Sequence, residues 1–115
     1  MSKRSDADLL DDILVCVANI KKYIAGMAYE DFIADPKTQD ATIRNIEVIG
    51  EAIKNVSNET KVKSSKTPWK AIAGTRDRLI HSYFGVNIDI VWQIATNDIL
   101  DLENEIERIK NAGLQ

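Results

Sequence analysis

Arg76, Asp77 and His81 are the residues in this chain whose types and spacing best suit chemistry, and His81 is the only histidine. At 3.6 residues per turn, a helix through this stretch places Trp69, Ile72, Ala73, Leu79, Ile80 and Tyr83 on one apolar arc. Arg76 falls near the centre of that arc, and Asp77 and His81, at (i, i+4), share its flank. A guanidinium keeps its charge and is costly to bury unpaired. Arg76 therefore requires a carboxylate, a water-filled cleft or a phosphate. Imidazole titrates near neutral pH, so His81 can both take and give a proton. Asp77 can orient that ring or fix its tautomer.

Other chemistries find less support. One histidine and one cysteine cannot build a metal ligand set. Asp98, Asp101 and Glu105 could hold Mg²⁺ by helical spacing, but a solvated helix face is the expected reading. Glu47 and Glu51, also at (i, i+4), could bring a carboxylate to Arg76 or form a surface acidic pair. Glycine-rich phosphate loops and Ser/His/Asp or Cys/His patterns are absent, and no cofactor or metal is expected. The reaction left to a cation and an imidazole is cleavage of RNA by its own 2′-hydroxyl. A base removes the hydroxyl proton, cations stabilise charge on the phosphoryl oxygens, and an acid protonates the departing 5′-oxygen. His81 suits the proton transfers and Arg76 the phosphate, with Lys70 and Arg78 as further candidate phosphate contacts. One histidine per chain is few for two proton transfers, so a symmetric dimer would be chemically convenient.

The net charge of −3 argues against indiscriminate nucleic-acid binding but permits a local basic patch. Charge is unevenly spread. From Lys54 to His81, seven cations face only Glu59 and Asp77, a balance of +5. From Ile88 to Lys110, six carboxylates face Arg108 and Lys110, a balance of −4. The basic stretch surrounds the Arg76 segment and is suited to an anion, whereas the acidic one reads as a solvated helix face.

Apolar spacing is helical almost throughout, and glycine and proline are scarce. Ser5 with Asp8 resembles a capping box opening a helix to about Ala25, whose apolar face carries Leu9, Leu10, Ile13, Leu14, Val17, Ile20 and Ile24. A short helical piece is expected at about Tyr29–Ala34. Asp35 and Pro36 then supply an N-cap and N1 proline for a helix to about Val56, with Ile43, Ile46, Ile49, Gly50 and Ile53 inside. Ser57 to Thr67 is polar, lysine-rich and read as a loop. Thr67 and Pro68 restart a helix that carries the Arg76 segment and ends near Gly85. Asn87 caps a last helix with a heptad seam at Ile88, Trp92, Ala95, Ile99, Leu102, Ile106 and Ile109, suited to bundle packing or to a partner helix. The expectation is an all-α, up-and-down bundle of four long helices plus one short one, in a single domain over residues 1–115. No sheet is expected. Cys16 is the only cysteine, which excludes an internal disulfide and suits a reducing cytoplasm. The N-terminus lacks a signal-peptide core, and the run Ile13 to Ala18 is too short to span a bilayer.

These residues resemble a known family. Arg76, His81 and Tyr83 stand at the spacing Arg-x4-His-x-Tyr of HEPN-domain toxins of the HepT type. Trp69, Ile72, Gly74 and Arg76 match the family's W-x-x-I-x-G-x-R lead-in, Ile49 to Ala52 its I-G-E-A, and Val91 with Trp92 its V-W. The resemblance spans the chain in the expected order of helices. It implies a HEPN-like bundle that dimerises with the motif helices facing one another. It further implies a metal-independent endoribonuclease with Arg76 and His81 as catalytic pair and Asp77 at the polar position after the arginine. The implied partner is a nucleotidyltransferase antitoxin of the MNT type, which in some systems transfers AMP to the motif tyrosine, here Tyr83. Some HEPN domains are instead non-catalytic nucleotide- or partner-binding modules, and fold alone does not choose between the two.

Overall fold

Ser5 starts the first helix by accepting a hydrogen bond from the Asp8 amide at 3.1 Å, and α1 runs from Asp6 to Ile24. The computed structural model describes residues 4–64, 67, 69, 70, 72–74 and 87–113. Gly26, at φ 76°, then takes a left-handed conformation that other residues adopt only with strain. Helix α2 (Tyr29–Ile33) begins where the Asp31 carboxylate accepts from the Ala28 amide at 2.8 Å. Helix α3 (Pro36–Asn55) has the expected proline in its first turn and Asp35 as N-cap, accepting from the Thr38 amide at 3.1 Å. Gln39 joins the two by donating to the Phe32 and Ile33 carbonyls at 2.8 and 3.0 Å.

The stretch expected as a loop after Ser57 is instead ordered into α4 (Asn58–Lys61) and a 3₁₀ turn (Val62–Ser64). Some of its polar side chains are used internally. Ser57 caps α4 by accepting from the Thr60 amide, and Thr60, Ser64 and Thr67 are buried. Residues 69, 70 and 72–74 are helical, as expected for the start of the fourth long helix; its continuation through Gly85 lies outside the described residues.

Asn87 caps α5 (Ile88–Gln93), accepting from the Asp89 and Ile90 amides. The chain continues through a π-helical turn (Ile94–Asp98) into α6 (Ile99–Asn111). That π turn corrects the expected heptad seam. From Ala95 onward the seam holds, with Ile99, Leu102, Ile106 and Ile109 buried. Before it, Val91 and Ile94 are buried while Ile88 and Trp92 are only half-buried. One extra residue in a turn rotates the preceding segment by about 100°, so the inward face slips by one position. Thr96 fits the widened turn by donating to the Trp92 carbonyl at 2.7 Å. The Trp92 ring lies against Phe32 and Tyr29, with centroids 5.0 and 6.0 Å apart.

The long helices are antiparallel neighbours. Asn19 donates to Asn45 at 3.2 Å while Asp6 reaches Ser57, so α3 runs back along α1. Lys21 pairs with Glu103 at 3.1 Å while Asp11 pairs with Lys110, so α6 also runs opposite to α1. Leu10, Ile13, Val17 and Ile20 of α1 fill the space between them, with Ile46, Ile49 and Ile53 of α3 and the α6 seam. Each such side chain contributes about 1.5–3 kcal/mol by leaving water. The fold is an all-α, HEPN-like bundle, and no strand occurs among the described residues. Cys16 is buried and free, and burial, with Asp12 nearby, raises its thiol above the ordinary value.

Candidate active site

The chemistry-bearing residues expected from the sequence, Arg76, Asp77, Arg78, His81 and Tyr83, lie outside the described residues. Of the expected site residues, Lys70 is described and exposed. The structure does show how the chain is held where it enters that segment. Trp69 is 8% exposed, and its indole N–H donates to the Lys61 carbonyl at 3.0 Å and the Ser64 carbonyl at 3.1 Å. A buried indole needs such a partner, and here both carbonyls come from the end of α4 and the 3₁₀ turn.

Two carboxylates from different helices brace this turn. The Ser64 hydroxyl donates to Glu105 of α6 and shares a 2.7 Å hydrogen bond with Thr67. Arg108, one turn beyond, pairs with Glu105 at 3.0 Å and donates to the Lys63 carbonyl at 3.1 Å. At the start of the same stretch Asp6 of α1 accepts from the Ser57 amide at 3.1 Å and from the hydroxyls of Ser57 and Thr60. Burial pushes the Asp6 carboxyl up, but the hydrogen bonds from Ser57 and Thr60, with the Lys61 charge, outweigh it and hold the group below the ordinary aspartate value. The sequence reading missed Asp6, Ser57, Thr60 and Ser64 as a unit. The available signal was Ser57 itself, a good N-cap three residues before a second hydroxyl.

Lys70 lines an open groove together with Lys54, Asn58, Lys61, Trp69, Ala73 and Gly74. Gly74 needs no special backbone conformation, and a Cβ there would meet nothing within 4 Å. Half-buried Glu47 and exposed Glu51 of α3 line a second groove with Asp12, Arg44 and Asn55. Whether either carboxylate approaches Arg76 falls outside the described residues. The alternative Mg²⁺ set does not assemble. Glu105 is committed to Ser64 and Arg108, and the described residues include no group of three His, Cys, Asp or Glu placed to hold a metal. Nor is any described helix long and apolar enough to cross a membrane.

A family model described as Ribonuclease HepT-like matches residues 13–109. The chain is 41% identical over 108 residues to a Thermococcus cleftensis protein named "Probable ribonuclease HepT", covering 94% of this chain and 98% of the relative. It is 48% identical over 86 residues to a Caldanaerobacter subterraneus protein named as a "Putative RNase", covering 75% and 77% of the two chains. A Methanocaldococcus jannaschii protein of the same description is 42% identical over 109 residues, covering 95% and 90%. No solved structure matches the chain.

The Asp6 contacts generate a stability prediction. Asp6→Ala removes the acceptor shared by Ser57 and Thr60 and should destabilise the protein by about 1–2 kcal/mol at neutral pH. Because the folded-state value of Asp6 is depressed, its contribution is present above the unfolded value and is lost as pH falls through the folded one. Urea unfolding of both proteins should therefore show their difference shrinking from neutral to strongly acid pH. A difference that is constant with pH would refute the ionic origin.

Proposed function

The chain belongs to the HepT-like ribonuclease family, and from that premise we propose that it is a metal-independent endoribonuclease, the toxin of a toxin–antitoxin pair. The observation that carries this reading is Arg76-x4-His81-x-Tyr83 lying inside the span that the family model matches. The proposed unit is one domain over residues 1–115, acting in the cytoplasm as a homodimer.

In the proposed reaction, an imidazole takes the proton from the RNA 2′-hydroxyl, whose oxygen attacks the adjacent phosphorus. The bond from phosphorus to the 5′-oxygen breaks, and an imidazolium returns a proton to that leaving oxygen. The products are a 2′,3′-cyclic phosphate and a free 5′-hydroxyl. Arg76 holds the phosphoryl oxygens as charge develops on them. Asp77 sets the His81 ring, and Lys70 and Arg78 supply further positive charge. Two copies of His81 across a dyad divide the proton transfers between them. Tyr83, two residues after His81, is the proposed acceptor of AMP from a nucleotidyltransferase antitoxin. The added phosphate would occupy the position that substrate phosphate requires.

The alternative is a non-catalytic module in which Arg76 and His81 hold a nucleotide phosphate and the heptad seam holds a partner helix; burial in the bundle speaks against the seam part of it. Ile99, Leu102, Ile106 and Ile109 of that seam are at most 2% exposed within the bundle itself.

His81→Ala and Arg76→Ala should each lower RNA cleavage on the order of 10²–10⁴-fold while leaving helicity and the sedimentation of a dimer unchanged. Wild-type cleavage should persist in EDTA and leave cyclic phosphate ends. Loss on chelation with rescue by Mg²⁺ would refute the metal-independent route, and full activity in a sedimenting monomer would refute the shared site. For Tyr83, intact mass after co-expression with the cognate nucleotidyltransferase should rise by whole AMP units in wild type and not in Tyr83→Phe. Full inhibition of an unmodified wild-type protein would show that the partner works by binding alone.

A further inference from the structure

The π turn leaves part of the apolar seam at the surface. Ile88 and Trp92, its first two positions, are half-buried, while Val91 and Ile94 take the interior places. Ile88 and Trp92 stand one turn apart on α5, as Tyr29 and Ile33 do on α2. The contact between the Tyr29 and Trp92 rings joins the two pairs into one patch, and Ile33 is 49% exposed. At 100° per residue, Glu30 and Asp89 flank this patch, each about 60° around its helix from Ile33 or Trp92. Both carboxylates are exposed, and neither side chain pairs with another group among the described residues. Two such patches would therefore meet with like charge. The occupant that fits is an apolar side chain accompanied by a cation.

The chain carries such a pair. Val62, in the 3₁₀ turn, is 72% exposed, more than any other large apolar side chain described. Lys63 beside it is exposed, and its ammonium has no partner among the described residues. Lys61 is half-buried and feels the Asp6 carboxylate, so Lys63 is the cation available there. Val62 and the patch lie at opposite ends of α3. Gln39 in the first turn of α3 holds the α2 carbonyls, whereas Ser57, which opens the turn with Val62, follows the end of α3. A helix of 20 residues is about 30 Å long, so Val62 is remote from the patch of its own chain.

We propose that the patch of Tyr29, Ile33, Ile88 and Trp92 receives Val62 of a second copy, with Lys63 of that copy meeting Glu30 and Asp89. The contact is head-to-tail, so it links copies in series unless the rotation closes a ring. Its area is well below that of a stable complex, and the association is weak and reversible. The π turn presents the patch, because an unbroken heptad would carry Ile88 and Trp92 inward. The inference does not depend on the ribonuclease reading.

The test is sedimentation velocity of the full-length protein over a concentration series reaching about 1 mM. Wild type should grow reversibly to heavier species as concentration rises. Val62→Ser should weaken that growth by roughly tenfold, and so should Glu30→Lys combined with Asp89→Lys. Val62→Ser keeps the patch and the double variant keeps the knob, so mixing the two should give a heavier species that neither forms alone. Adding Lys63→Glu to the double variant should restore growth, because the charges are then exchanged across the contact. All these positions are exposed, and unchanged circular dichroism checks that the variants fold. Absence of growth in wild type overturns the proposal, as does growth that survives Val62→Ser. If Val62→Ser abolishes growth but the mixture stays light, the knob meets some other surface and the patch assignment falls.

Discussion

The hydrogen bonds from the Trp69 indole to the Lys61 and Ser64 carbonyls are the constraint on which the entry to the Arg76 segment depends. They fix the chain at the point where it leaves a polar turn and enters the segment containing Arg76, His81 and Tyr83. The turn itself has little apolar surface to hold it in place. It is held by carboxylates projecting from two helices, Asp6 of α1 and Glu105 of α6, each accepting from hydroxyls of the turn. The bundle core positions those helices, and so core packing is transmitted to the turn that anchors Trp69 through a few charge-assisted hydrogen bonds.

The same arrangement explains how an acidic protein can present a cationic surface. The carboxylates of α6 are partly spent within the molecule: Glu103 pairs with Lys21, and Glu105 with Arg108 and Ser64. Lys61 and Lys70 meanwhile line one groove from two parts of the chain. Net charge describes long-range attraction, whereas RNA phosphate would respond to this local distribution within about 10 Å at ordinary ionic strength.

The helices were legible because their signals are local. Ser5, Asp35 and Asn87 each proved to be N-caps, and the apolar spacing in α1 and α3 marks the buried faces. The polar stretch after Ser57 was misread because its order comes from Asp6 and Glu105, which are 51 and 41 residues away from their hydroxyl partners. The π turn was likewise hidden: Ile94 to Asp98 contains no residue that demands it, and a strict heptad continues smoothly through it on paper. The spacing Arg76-x4-His81-x-Tyr83 is readable in the sequence and lies inside the span of the family match, and the roles of these residues are the reading proposed above. The groove was visible in sequence only as an excess of lysine, because burial of Trp69 and the fold of α4 decide which lysines meet.

The central claim is that RNA supplies its own nucleophile and that the protein supplies only proton transfer and positive charge. The most direct measurement places a single 2′-deoxynucleotide on the 5′ side of one mapped cleavage site in an RNA that has several. The account predicts that cleavage disappears at that bond alone and continues at the others in the same strand. Undiminished cleavage at the substituted bond would contradict it, because the attacking oxygen would then have to come from water.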